Sequence, residues 1–446
     1  MNQFIVTVVV GWPRFLSQLF AVGRNRISQT SKGFIVFITT LLLGLYVSTA
    51  DGAPVWLDFI SGTGPDWVTR LNEATSNAEV SNFSEAEQST IESNILDSLE
   101  TVYADFMVDF HLTDPGGNRE RIHMGASTSS SSTYGTAPVN FRNTSTGTQK
   151  IYTANFDNFL ESFEPRSKQI TEISGVLAGT VAHELGHSLG MRHHAAYGTV
   201  GITPANYGDT DSLQNVHVMA TGKTGINELE RETQRIFSRW SQLTMEAASG
   251  IPLVANPLPS TSEDEVDAGD TPASAQALTL SEMPISGFNA ALVVGARLDE
   301  PATPTARNDV DIYSFSGFAG DLLTAELWSD NKYVDDFDGQ LTLIGPDSLT
   351  TIYSNDDVHY SGDKFNSGSK QTDDAFLLNI PLTQTGTHYL KVETVGADPE
   401  NLDGDADGKY DLLVGVKTMV PEPDAPLLAL LGLIGSIVFF RCGTRG

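Results

Sequence analysis

The chain has a single cysteine, Cys442, so it can form no internal disulfide; if it is exported, its stability must come from packing or from bound metal. It is also poor in positive charge. Lys and Arg number 26 against 56 Asp and Glu, which leaves a net charge of −30 at pH 7. Such a polyanion is repelled by phosphate backbones and anionic membrane surfaces, which argues against nucleic acid as a partner. Long apolar runs are missing except near the two ends. Against these absences stand 446 residues, 40% of them hydrophobic, with 22 Phe and 12 Tyr. That is material for two or three domains of roughly 100–200 residues, and it excludes a chain disordered throughout.

Residues 1–50 contain no acidic residue. They carry Arg14, Arg24, Arg26 and Lys32, run uncharged from Gly33 to Val47, and close on the small residues Ser48, Thr49 and Ala50. This pattern predicts a secretory signal peptide, with a retained N-terminal anchor as the alternative. At the other end, Pro421, Glu422 and Pro423 precede an uncharged stretch from Ala425 to Phe440, closed by Arg441 and Arg445. Basic residues after an apolar run are left on the cytoplasmic side of a membrane. Residues 420–446 thus resemble the PEP-CTERM sorting signal of Gram-negative bacteria. The resemblance implies a transmembrane segment, an exosortase-type processing enzyme as partner, and a cell-surface or extracellular location.

Between the ends, Ser84 and Glu87 form a capping-box pair ahead of Ile91, Ile95, Leu99 and Val102, which predicts a helix over 85–102. Phe106, Val108, Phe110 and Leu112 then alternate with polar or less apolar residues, the period of a strand. The Ser-rich stretch over 127–136 reads as a flexible loop. Ile170, Ile173, Val176, Leu177 and Val181 make a second amphipathic run, and it leads into HELGHSLGMRHH, His183 to His194.

On a helix His183 and His187 lie one turn apart on one face, able to offer two imidazole nitrogens to one ion, with Glu184 turned toward a water on that ion. Gly190 lets the backbone leave the helix with a positive φ, so that His193 can return as a third ligand. Three histidines and one open position suit catalytic zinc, because a structural site fills its fourth position. His194 is a rival to His193 by adjacency.

The string HELGHSLGMRH resembles the HExxHxxGxxH signature of metzincin metalloproteases. The resemblance implies His183, His187 and His193 as zinc ligands, Glu184 as general base and Met219 as the methionine of a turn beneath the zinc. It implies an α+β zincin-like catalytic domain over 51–248, a mixed sheet with an active-site helix, in which 51–83 could be propeptide-like and 226–247 form a C-terminal helix. Thr221, where astacins and serralysins carry a tyrosine, places the pattern nearer to matrixins. The expected activity is that of a secreted or surface-anchored zinc endopeptidase, with Glu184 activating a zinc-bound water against a protein or peptide substrate. The alternatives are a noncatalytic adhesion or matrix-binding protein with a degenerate protease domain, and a zinc hydrolase acting on another bond.

Residues 249–266, with Pro252, Pro257, Pro259 and an acidic cluster of Glu263, Asp264 and Glu265 that runs on to Asp267, read as an exposed linker. Short alternating runs follow, separated by turn residues, with no helical pattern between them; they predict an all-β sandwich. NDVDIYSFSGFAGDLLTAEL and GTHYLKVETVG resemble the bacterial pre-peptidase C-terminal domain, over 267–416. The resemblance implies a noncatalytic module with a role in secretion, substrate binding or later removal; extracellular matrix or polysaccharide is a further expected partner of the protein. Asp403, Asp405 and Asp407 are spaced as the first half of a Ca2+ loop, but Val414 stands where the bidentate Glu belongs. The cluster is either a calcium site or a solvated acidic hairpin turn.

Overall fold

The computed structural model describes residues 52–59, 66–73, 82–127, 133–160, 164–193, 217–220, 233–262, 268–298, 309–328, 339–356, 375–394 and 409–419. The signal-like segment 1–50, the sorting-signal-like segment 420–446, His194 and the Asp403, Asp405 and Asp407 cluster lie outside them. Among the described residues no helix is long and apolar enough to cross a membrane.

The first half is built on a five-stranded sheet. Its strands are β1 (Ala53–Asp58), β2 (Val108–His111), β3 (Glu120–Met124), β4 (Gly135–Thr136) and β5 (Thr148–Ile151), in the order β2-β1-β3-β5-β4. All pairings are parallel except β4 against β5. Strand β1 has hydrogen-bonded neighbours on both edges, and its Val55 and Leu57 are wholly buried. Of the segment 51–83, expected to be either propeptide-like or part of the folded domain, residues 53–58 are thus an inner strand of the sheet, and removing them would strip backbone partners from β2 and β3 alike. The Ser-rich stretch also holds more than a loop. Tyr134 packs on Phe156, and Gly135 and Thr136 form the edge strand.

Among the described residues four α-helices accompany this sheet: α1 (Trp67–Glu73), α2 (Glu85–Val102), α3 (Arg166–Ser188) and α4 (Arg239–Glu246). The capping box at Ser84 and Glu87 starts α2, and Ile91, Ile95 and Leu99 form its buried face toward α3. Helix α3 is buried along most of its length, with Ile173, Val176, Leu177, Val181 and Leu185 in the core. The strand expected directly after α2 begins only at Val108, because Tyr103 N–H bonds Leu99 O and Tyr103–Asp105 turn. The helix expected over 226–247 is shorter too. Ser238 caps it by accepting from Ser241 N–H at 3.1 Å, while Ile236 is extended, its carbonyl accepting from Val218 N–H at 2.9 Å. That extended pairing is incompatible with a helix through 233–238; residues 226–232 are outside the described set.

The second half is two sheets. One has the order β13-β12-β15-β10-β7, from β7 (Gln276–Ala277), β10 (Val310–Gly317), β12 (Gly339–Ile344), β13 (Thr351–Asn355) and β15 (Gly386–Thr394). The other has the order β14-β11-β16-β9-β6, from β6 (Ser260–Ser262), β9 (Asn289–Arg297), β11 (Leu322–Trp328), β14 (Phe376–Pro381) and β16 (Lys409–Lys417), with β8 (Ser281–Glu282) also on β9. The sheets share a core of Tyr313, Leu343 and Leu390 from one and Val293, Leu327 and Leu412 from the other.

The second of these sheets is buried on both faces. Leu412 and Val414 of β16 enter the core between the sheets, whereas Leu413 enters the core of the first half; Leu327 and Trp328 of β11 divide in the same way. Successive strand residues point to opposite faces, so double burial gives continuous apolar runs such as Leu412 to Val414 in place of alternation. Trp240 and Leu243 of α4 rest directly on this sheet, and a Cβ at Gly415 would come within 3.0 Å of both.

The segment read as an exposed linker is correspondingly part of the core. Leu253 and Leu258 are buried, Leu253 O accepts from Met107 N–H at 2.7 Å, and β6 pairs in parallel with β9. The apolar residues between the prolines outweigh the composition that suggested a spacer.

Candidate metal centre

Helix α3 carries His183 and His187 on one face at its C-terminal end, with ring centroids 4.8 Å apart. The helix stops because Gly190 takes a φ of +102°, with Met191 N–H bonding back to Gly186 O at 3.0 Å and Gly190 N–H to His187 O at 2.9 Å. A side chain at Gly190 would be doubly costly, since its Cβ would also stand 3.1 Å from Phe141 Cα. The chain then doubles back, and His193 Nε2 arrives 3.2 Å from both His183 Nε2 and His187 Nε2. Among the described residues this is the one group of three or more potential ligands within reach of a single ion.

The remaining nitrogens decide what the group can hold. His183 Nδ1 lies 2.7 Å from Val218 O and His187 Nδ1 lies 2.8 Å from Met191 O. A carbonyl oxygen only accepts, so both rings carry their proton on Nδ1 and turn an Nε2 lone pair toward His193. Burial, reinforced by the neighbouring His187 and His193, holds His183 well below the ordinary histidine range, so it stays neutral. The Nε2 lone pairs of His183 and His187 therefore converge on the place where His193 Nε2 lies, 3.2 Å from each. Two nitrogens bound at about 2.0–2.1 Å to a tetrahedral zinc lie about 3.3 Å apart, so the donor set fits that ion.

Glu184 is 6% exposed, and burial pushes its carboxyl up to about 8. Its Oε1 is the nearest atom to a Cβ built on Gly135, which places the carboxyl against edge strand β4. Met219 is wholly buried, and a Cβ at Gly186 would run into its Sδ. It thus packs under the turn of α3 between the two histidines.

His183, His187 and His193 are brought together, Met219 packs against the helix at Gly186, and the Glu184 carboxyl lies against Gly135. His194 and the three aspartates fall outside the described residues, while Val414 is buried within β16. Three contributors went unread: the carbonyls of Val218 and Met191, and Gly135. Backbone carbonyls leave no trace in side-chain identity, and a two-residue strand is too short to show a period.

No family model matches the chain, and no curated protein matches it. Among solved structures, it is similar to Aeromonas hydrophila PliG, a periplasmic lysozyme inhibitor of g-type lysozyme, at 14% identity and a TM-score of 0.19, over 32% of this chain and 97% of that one. It is also similar to BtGH115A, a family GH115 4-O-methyl-α-glucuronidase with specificity for decorated arabinogalactans. There the identity is 12% and the TM-score 0.16, over 60% of this chain and 30% of that one. Similarity this low carries no argument on fold or function.

Proposed function

We propose that the protein is a zinc-dependent hydrolase, and within that class a metzincin-like endopeptidase. The observation that carries the reading is the convergence of three imidazole Nε2 atoms at the end of a helix in which Glu184, next to the first histidine in sequence, is buried. Zinc, when bound, supplies a Lewis acid and an acidified water. His183, His187 and His193 hold it, the first two oriented by the carbonyls of Val218 and Met191.

Glu184 would accept a proton from the attacking water and return it to the leaving amine. Strand β4 ends the sheet order, and among the described strands none covers its outer edge. An extended peptide can add there by main-chain hydrogen bonds, which would lay its backbone beside Glu184. This favours a peptide over other substrates. The mixed sheet with α3 packed on it supports the zincin-like reading of the first half, and the core shared by the two later sheets supports the all-β sandwich reading of the second. Export and a surface location rest on residues 1–50 and 420–446 and belong to the same proposal.

The test is cleavage of a denatured casein by the full chain with zinc, beside Glu184→Gln. The variant is expected to bind zinc as the parent does and to lose about 10²–10⁴-fold in turnover. Equal cleavage by both proteins would sink the proposal.

A further inference from the structure

We infer that one of the two C-terminal sheets, the one containing β11, completes the metal centre: Trp328 and Glu326 of β11 are positioning residues that hold Arg192 and, through it, the adjacent ligand His193. The inference rests on the metal-site reading above and extends it to residues that reading does not use.

His183 and His187 are set by the helix that bears them, but His193 reaches them from the irregular segment after Gly190. Its position therefore depends on whatever grips that segment. Arg192, one residue before it, is 1% exposed. Its guanidinium carbon lies 3.6 Å from the Trp328 ring centroid. Its Nη1 lies 3.9 Å from Glu326 Oε1, and both side chains are 1% exposed. Glu326 is itself anchored, since its other oxygen accepts from Trp240 Nε1 at 2.7 Å. An arginine this deep cannot exchange its partners for water, so the residue that follows it inherits a fixed origin.

The other side of the same turn is held by the same sheet. Trp328 stacks on Phe141 with centroids 4.1 Å apart and planes 12° apart. Phe141–Asn143 is the short 3-10 turn lying against the end of α3, where Asn140 N–H bonds His187 O at 3.1 Å. Arg142 and Asn143 adopt positive φ values of 66° and 50°, a strained conformation for both. They are locked by Arg142 Nη2 to Ser249 Oγ at 2.7 Å and Asn143 Nδ2 to Ile251 O at 2.8 Å, and Arg142 Nη1 is 4.0 Å from Asp411 of β16. The loop that delivers the third ligand and the turn that backs the helix thus meet on one ring, Trp328. A ligand ordered before the ion arrives costs nothing to order on binding, so the expected effect is on zinc affinity.

The experiment measures zinc affinity of the full chain by competition with a chromophoric chelator, well below the melting temperature of every variant. The variants are Trp328→Ala, Trp328→Phe, Glu326→Gln and, as a control for general loss of stability, Leu343→Ala in the other sheet. Trp328→Ala and Glu326→Gln should weaken zinc binding about tenfold or more, and Trp328→Phe should recover most of the loss. Turnover by Glu326→Gln should return toward the parent value as zinc is raised to saturation. Leu343→Ala should lower the melting temperature of the metal-free protein and leave zinc affinity within about twofold of the parent.

Parent-like affinity in Glu326→Gln, which keeps the shape of the side chain, would overturn the inference even if Trp328→Ala fails to fold. So would an equal loss of affinity in Leu343→Ala. Failure of the parent itself to bind zinc is a different result: it removes the metal-site reading and this inference with it.

Discussion

At the scale of single residues, the centre depends on places where a side chain is absent. Gly186 sits between His183 and His187, with Met219 Sδ where its Cβ would be and Met191 Cε 3.2 Å from that point. Helix propensity alone favours Gly186→Ala by up to about 1 kcal/mol. Overpacking a filled core costs about 1–3 kcal/mol, and here it acts on a buried thioether. The variant is therefore expected to be less stable by up to about 2 kcal/mol, from the balance of those two effects. Chemical denaturation of Gly186→Ala, Met219→Ala and the double variant checks this, because removing the Met219 side chain should abolish most of the penalty. An additive cycle would mean that Met219 does not pack against the helix as described.

At the scale of elements, β3, β5 and α3 are tied together by a buried polar chain. Glu120 Oε2 accepts from Gly147 N–H at 3.0 Å and from Gln149 Nε2, and Gln149 also donates to Ser188 Oγ next to His187. Burial outweighs these hydrogen bonds and pushes Glu120 up to about 7. A carboxyl with a raised pKa binds its proton more tightly folded than unfolded. Its stabilising contribution is complete below the ordinary value of 4.5 and is lost as pH rises from there through about 7. Glu120→Gln, which cannot ionise, should thus gain on the parent between pH 5 and pH 8, by on the order of 1–3 kcal/mol. Thermal melts of the two proteins across that range in chelator measure it; parallel pH profiles would contradict it.

At the scale of the whole molecule, the two halves are joined by a core rather than by a tether. Trp240 packs on Phe288 and Phe376, Phe141 stacks on Trp328, and Leu253 and Leu258 of the connecting segment are buried among them. A chain ending at residue 250 would expose this entire surface and leave Trp240 Nε1 without Glu326. It is expected to lack fixed tertiary packing, seen as a lost near-ultraviolet circular dichroism signal and binding of a hydrophobic dye. A cooperative thermal transition in that fragment would show instead that the first half is self-sufficient.

Several features were legible in the sequence because short-range physics produces them. Ser84 and Glu87 close a local capping box, and His183 and His187 share a helix face because their spacing is four. Gly190 marks the helix end because few other residues accept its φ. Local composition misled where long-range packing prevailed. The prolines of 249–266 suggested a spacer, yet Leu253 and Leu258 found a core, and Ile236 left its expected helix to pair with the Met219 segment.

The sequence by itself determined the three histidines, the helical spacing of His183 and His187, and the glutamate that follows His183. Only the tertiary structure decided that His193 arrives 3.2 Å from its partners, that Val218 and Met191 orient the rings, and that β11 stands behind Arg192. The physical reason is the range of the interactions. A helix repeats within four residues, whereas carbonyls, stacked rings and buried ion pairs meet only after distant segments have packed.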